Sequence, residues 1–457
     1  MPTPFQSFCA LALALALQVP GLAEEVEVIS LRDFVTAEVR QQGFTLSRDL
    51  KVHVYARGGG PGERDQVQPD SHFHAYAWIL NALTREVVWE MGAGNSAKQG
   101  RYQISDRYLD LPKGSYEIYF SNHAHGFHAP FSHWTRNIDR RDLQAPEDSQ
   151  HRGQRWWRLF GLDRASRLRE WREQAANFGL VLSVDRPAAG EISTFAAPLK
   201  WKNILFSLLP AGDDASTTQG FRLKKPMNLH VYAEGEGGSR RMHDYGWIVD
   251  ARTRKRVWEM TPDKSRYAGG STKNRRLVET LALPAGDYLA TYVTDGSHSP
   301  ADWNAAPPCD PRFYGLTLSV PADADLASAA LADVQEKQTV LAELVKVGND
   351  EDRRAAFTIT RTRNVRVYAL GEADDEEMAD SGWIEDAAGK KVWQMLAAET
   401  SPAGGAEKNR LADEVVKLPK GSYTLRYQSD GSHAYGHWNA RAPRDKERYG
   451  ITLYAVD

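Results

Sequence analysis

Apolar and polar residues alternate along short runs of this chain, and the same runs return three times. "LKVHVYA" (50–56), "MNLHVYA" (227–233) and "NVRVYAL" (364–370) set apolar, β-branched and aromatic side chains on every second position. A period of two puts one face of a strand against a core and the other in water. "WIVDARTRKRVWEM" (247–260) reads as a hairpin, and "WIEDAAGKKVWQM" (383–395) repeats its layout with Gly389 at the turn. "LPAGDYLATYV" (283–293) reads as a turn feeding a strand, where Gly286 can supply a positive φ. "YGLTLSV" (314–320) and "YGITLYAV" (449–456) read as closing strands.

Fixed spacings tie these runs into units. An apolar run carrying Leu31, Leu208 or Leu344 is followed thirteen residues later by Phe44, Phe221 or Phe357. Eleven residues further come Tyr55, Tyr232 or Tyr368, then Trp78, Trp247 or Trp383, then an "LPxGxY" turn at Pro112, Pro284 or Pro419. Units two and three close with Trp303 and Trp438, each eleven residues before Tyr314 and Tyr449. So many matched intervals mark a triplication. Short strands separated by turn signals predict an all-β fold of three tandem antiparallel β-sandwich, jelly-roll-like repeats at 26–185, 202–321 and 338–457. The Trp and Tyr anchors are expected to supply core volume. Unit one carries a helical insertion at 135–177, rich in Arg and Trp, which either caps the sandwich or presents binding anchors to a partner. Pro187 to Pro198 reads as a linker, and the Ala-rich stretch Asp323 to Glu336 predicts a short helical linker before unit three.

Phe8 to Val19 is an apolar run too short to span a bilayer, and Gly21-Leu22-Ala23 offers small residues for cleavage. Residues 1–23 therefore read as a secretory signal peptide, and the product as exported, periplasmic or extracellular. No later segment is apolar enough for a transmembrane span. Cleavage would leave Cys309 as the only thiol, so no internal disulfide is expected. A formal net charge of −3 gives no electrostatic case for nucleic acid as a partner.

The candidate chemistry lies in "TDGSHSPADWNAAPP" (294–308) and its near-copy "SDGSHAYGHWNARAP" (429–443). Adjacent Ser and His in a turn point apart, and no G-x-S-x-G elbow is present, so a catalytic triad is poorly served. Two equivalent copies suit a binding or assembly role better than catalysis. The expected structure is an Asx-turn at Asp295 and Asp430, with Gly296 and Gly431 in the permissive position and His298 and His433 bonding loop backbone. Around these turns units two and three share Glu236 and Glu372, Asp244 and Asp380, Lys273 and Lys408, Arg275 and Arg410, and Asn304 and Asn439. If the loops converge, these residues form a charged concave site for a sugar or a peptide end. Glu236, Asp244 and Asp295 would also suit Ca²⁺. A salt-bridge network tying loops together is the structural alternative.

Unit one breaks this pattern. Gly59 and Ala75 stand at the acidic positions, and histidines accumulate at His72, His74, His123 and His125. A His-x-His pair on a strand projects both rings to one face, so two pairs could offer four nitrogens to Zn²⁺ or Cu²⁺. A merely polar loop is the other reading.

The order F-x-L, VYA, W, LPxGxY, YGxTL resembles the layout of bacterial pre-peptidase C-terminal domains. The resemblance covers each unit in layout and implies secreted β-sandwich modules with no catalytic residues. That family lacks the "DGSHxxxxWN" stretch. The expectation is an exported, non-enzymatic protein that binds a protein or carbohydrate ligand or acts in assembly. A periplasmic Zn or Cu protein using the unit-one histidines, and a hydrolase using the Asp/His pairs of units two and three, are the alternatives.

Overall fold

In a computed structural model, which describes residues 24–34, 38–60, 73–122, 164–301, 303–332, 339–374 and 377–456, the alternating runs pair into six antiparallel sheets. In unit two one sheet orders Ile204–Leu208, Gly315–Ser319, Met227–Glu236, Asn274–Leu283 and Arg266–Tyr267. Its mate orders Arg256–Glu259, Tyr245–Asp250, Gly286–Val293, Ser216–Leu223 and Ala329–Leu331. Unit one repeats the first order with Glu25–Leu31, Gly179–Asp185, Leu50–Gly58, Tyr102–Leu111 and Ala97–Gln99. Its second sheet runs Val87–Glu90, Ala75–Asn81, Gly114–Asn122, Glu38–Leu46 and Ile192–Phe195. Unit three has Val340–Val345, Gly450–Val456, Arg363–Glu372, Asn409–Leu418 and Ser401–Pro402. A four-stranded mate, Lys391–Gln394, Ser381–Asp386, Gly421–Gln428 and Asp352–Ile359, completes it.

The two sheets of each unit share one core. Val231 and Leu318 from one sheet pack with Phe221 and Ile248 from the other, and Val52, Val54 and Ile79 do the same in unit one. One aromatic pair recurs in every unit: Phe44 on Tyr116, Phe221 on Tyr288 and Phe357 on Tyr423, stacked at 5.5, 5.3 and 5.4 Å. Each tyrosine then donates its hydroxyl to the carbonyl of Pro112, Pro284 or Pro419, four residues back. The "LPxGxY" turn thus exists to bury a ring while satisfying its polar tip.

Several local expectations need correction. The segments between units are edge strands: Ile192–Phe195 pairs with Gly43–Leu46, and Ala329–Leu331 with Phe221–Leu223. Of the expected helical linker Asp323–Ser328 is a 3₁₀ stretch and Ala329–Leu331 a strand, because those residues gain ladder bonds, while 333–336 lie outside the described residues; Arg186–Glu191 forms another 3₁₀ stretch. Gly286 simply opens a strand opposite Leu223. Positive φ falls instead at the matching hairpin turns, at Arg85 (60°), Arg254 (58°) and Gly389 (78°). Trp78 and Trp247 are buried, whereas Trp383 is partly exposed beneath Lys391 and Arg426. Of the insertion, Arg164–Ala175 is helical and buries Trp171, while residues 123–163 lie outside the described set. The proposed signal peptide also lies outside it. Among the described residues no helix is long and apolar enough to cross a membrane.

The junction of units one and two is a buried polar network. Arg85 bonds Asp310 through Nε at 2.8 Å and Nη2 at 2.5 Å, and Glu117 through Nη1 at 2.7 Å. Tyr232 donates to Asp310 at 2.7 Å, and Arg276 pairs with Glu234 while donating to the Arg85 carbonyl at 2.8 Å. Trp78 Nε1 donates to the Cys309 carbonyl at 2.7 Å. Burial raises the Glu234 carboxyl, against the opposing pull of the Arg276 guanidinium beside it. At the second junction Arg254, at the same hairpin position, is buried and stands 3.9 Å from Asp413 of unit three, while Arg241 pairs with Glu407 at 3.0 Å and Arg256 donates to Ser401.

Removing one partner of a buried ion set strands the others. Arg85→Ala is therefore expected to cost about 3–5 kcal/mol in denaturant unfolding. Arg254→Ala removes a buried guanidinium whose ion pair with Asp413 is longer, 3.9 Å, and should cost less, about 1–3 kcal/mol. Equal losses would show that the two junctions are energetically alike.

Candidate functional site

Four chain connections of unit two meet at one end of the sandwich. Glu236 closes one strand, Asp244 precedes the next, the Lys-Asn-Arg triplet enters a third, and the DGSH turn leaves Val293. Unit three has the same arrangement around Glu372, Asp380, Asn409 and Gln428.

The Asx-turns are present: Asp295 accepts the Ser297 N–H at 2.9 Å, and Asp430 that of Ser432 at 2.8 Å. The left-handed residue is the histidine, with φ of 61° at His298 and 51° at His433, and neither Gly296 nor Gly431 takes a positive φ. Both rings are fully buried. His298 Nδ1 lies 2.9 Å from Asn304 Oδ1 and Nε2 lies 2.6 Å from Asn274 Oδ1. His433 repeats this with Asn439 at 2.9 Å and Asn409 at 2.7 Å. The amide nitrogens of Asn274 and Asn409 are committed to backbone carbonyls, and Lys273 and Lys408 hold Asn304 and Asn439 by the same oxygens. So the rings bond asparagine side chains, not loop backbone. Trp303 and Trp438 pack edge-on against them at 4.9 and 5.1 Å. Two facing oxygens call for an N–H at each ring nitrogen, which only the imidazolium has, whereas burial and then the Lys408 ammonium pull the His433 value down, so the two effects oppose each other. A general base needs a nitrogen facing its substrate, and both nitrogens here face asparagines.

The acids support the same loops. Asp244 accepts the Asp295 N–H at 2.7 Å and the Tyr314 hydroxyl at 2.6 Å, and Asp380 accepts from Asp430 and Tyr449 at the same distances. Glu236 pairs with Lys273 at 2.8 Å and Glu372 with Lys408 at 2.6 Å. Carboxylate oxygens of Glu236, Asp244 and Asp295 lie within 4.8 Å of one another, as do those of Glu372, Asp380 and Asp430. Each trio could hold an oxygen-seeking cation such as Ca²⁺, although a lysine ammonium already supplies positive charge there. Burial pushes Asp244 well above the carboxylate range and Asp380 to about 6. Arg275 and Arg410 do not join the trios. They bind the carbonyls of Ser265 at 2.6 Å and Thr400 at 2.9 Å.

Unit one fills the same end differently. A Cβ at Gly59 would stand 2.0 Å from His74 Nε2, so the imidazole takes the space next to that strand where Glu236 and Glu372 project. His74 is buried, 6.1 Å from the Trp171 ring and 6.0 Å from Phe178. Phe178 precedes Gly179 as Tyr314 precedes Gly315, so the helix delivers Trp171 as the counterpart of Trp303. His72, His123 and His125 lie outside the described residues. Among the described residues no metal-ligating group includes His74.

Two clefts open between units two and three. The wider, about 930 Å³, is walled by Arg241, His243, Tyr245 and Glu259 on one side and Lys408 and Arg410 on the other. Sequence reasoning singled out Lys408 and Arg410 but not this location, since no repeat spacing reports which units touch. It also passed over Asn274, Asn409, Tyr314 and Tyr449 as partners, although each sat within a matched motif.

No family model matches the chain, and no curated protein matches it. Among solved structures, one similarity is to the "Crystal structure of PBCV-1 VP54 fitted into a cryo-EM reconstruction of the virophage Sputnik". It has 8% identity over 55% of this chain and 91% of that chain, at a TM-score of 0.18. A likeness of that size carries no functional argument.

Asp380, near 6 in the fold against an ordinary 3.8, binds its proton more tightly when folded. Its stabilising contribution is complete below the unfolded value and is lost as pH rises through about 6. The stability advantage of the natural chain over Asp380→Asn should therefore grow between pH 7 and pH 4.5 in urea unfolding. A pH-independent difference would place the proton elsewhere.

Proposed function

We propose that this is an exported, non-enzymatic binding or assembly protein whose ligand, a protein or a carbohydrate, is held between units two and three. The observation that carries the reading is the double engagement of His298 and His433. The residues that looked most catalytic are spent on holding loops, at both ring nitrogens and in both copies. What stays open is the wide cleft, walled by side chains of both signs and by Tyr245. Clefts between domains with a few convergent polar groups are where ligands are most often held. Export is supported by the apolar leader at Phe8 to Val19. The hydrolase reading would need a ring nitrogen released from an asparagine. The Zn or Cu reading would need His74 to leave its aromatic packing.

The test is parallel screening of the intact protein on oligosaccharide and peptide arrays and against esterase, peptidase and glycosidase substrates. Binding to one ligand class, weakened about tenfold or more by Arg410→Glu, is expected, with no turnover. Turnover abolished by both His298→Ala and His433→Ala would overturn the reading.

A further inference from the structure

The second sheet of each unit has an outer edge, and units one and two cover theirs with their own chain. In unit one Ile192–Phe195 pairs with Gly43–Leu46, and in unit two Ala329–Leu331 pairs with Phe221–Leu223. The covering segment also bonds the residue just past each edge strand. Ser47 donates its N–H to the Glu191 carbonyl at 3.0 Å, and Lys224 donates to the Ser328 carbonyl at 2.8 Å. An ion pair marks the next position. Arg48 stands 3.6 Å from Glu191 and Lys225 3.1 Å from Asp325, each acid lying ahead of its covering strand.

Unit three keeps the receiving half of this arrangement. Ile359 pairs with Gly421 as Leu46 pairs with Gly114 and Leu223 with Gly286. Thr360 and Arg361 therefore stand where Ser47 and Arg48 do. Among the described residues no strand adds to the outer side of Asp352–Ile359. Gly43 and Gly220 are buried, whereas Ala356 at their position is exposed, as are Thr358, Thr360 and Arg361. Arg361 pairs with no acid among the described residues. Such an edge presents a row of N–H and C=O groups that an extended chain can pair with. Cations on an edge can also keep other chains away. In units one and two, however, the matched cations engage an acid of the very strand that docks.

We propose that the edge Asp352–Ile359 takes up a short extended segment of a partner protein as an added antiparallel strand, with an acidic residue of that segment on Arg361. The two covering strands define the segment's chemistry. An acid comes first, one residue ahead in Glu191 and four ahead in Asp325, and then an apolar residue, Ile192 or Ala329, faces the edge leucine. Main-chain bonds would supply the affinity, and Arg361 with the apolar contact at Ile359 the selectivity. No residue of this edge walls either cleft between units two and three, so the surface is a second site and does not rest on the reading of those clefts.

The probe is the unit-one covering strand as a capped synthetic hexapeptide, residues 191–196, titrated into the full chain by calorimetry. Saturable 1:1 binding is expected at about 10–100 μM, weakened about fivefold or more when the peptide's glutamate is replaced by lysine. Arg361→Glu should reverse that preference, so that the lysine peptide binds more tightly than the glutamate one. Thr358→Pro removes the N–H at the position of Arg222, which faces Ala330 in unit two. An edge strand tolerates that change, so binding should be lost with the thermal midpoint near that of the natural chain. Binding indifferent to both substitutions would overturn the proposal, as would no saturable binding of either peptide up to about 1 mM. A dimer of the natural chain that Thr358→Pro dissociates would also overturn it, by giving the edge to a second copy.

Discussion

A buried imidazole must find partners for its nitrogens, and the loops of units two and three are arranged around that requirement. His298 and His433 adopt a left-handed backbone that aims the ring inward, which few side chains accept without compensation. The compensation is a pair of asparagine oxygens, themselves fixed by backbone carbonyls and a lysine ammonium. Asp244 and Asp380 then brace the turn from below by accepting its first N–H and a buried tyrosine hydroxyl. Loop positions scattered over some seventy residues per unit are joined by these contacts, roughly the span from Glu236 to Asn304. Unit one meets the same need for a closed end by packing His74 against Trp171 and Phe178.

How the units join follows from what each seam can bury. Arg85 is admitted to the first seam because Asp310 and Glu117 both face it, and Arg276 because Glu234 does. Such a set adds little net stability over an apolar core, but it fits one relative placement of the units. At the second seam Arg254 stands 3.9 Å from Asp413, Arg241 pairs with Glu407 at 3.0 Å, Arg256 donates to Ser401, and clefts remain beside Tyr245 and Trp247.

Much of the architecture was legible because it is written in period-two alternation and in anchors such as Phe221, Tyr288 and Tyr314 whose spacing is dictated by strand length. The edge strands Ile192–Phe195 and Ala329–Leu331 were missed because short flanking segments gain their structure from a neighbour's ladder, not from their own pattern. Within the site, Glu236, Asp244, Asp295, His298, Lys273 and Asn304 do converge, and the repeat was the signal. Their roles were not legible, since a ring bonded at both nitrogens and a ring free to act have the same sequence. Trp171 was hidden by the insertion, which changes its distance from Gly179 relative to Trp303 and Gly315. The seams were invisible because contacts between repeats leave no period.

The most direct test of this contrast is hydrogen exchange, read by mass spectrometry on the intact protein, at matched edge strands of the two seams. Val87–Glu90 and Arg266–Tyr267 should exchange only through global unfolding, whereas Arg256–Glu259 and the Ser401 amide should open locally and exchange at least about a hundredfold faster. Equal protection at both seams would contradict an account in which the first is sealed and the second is left open for a ligand.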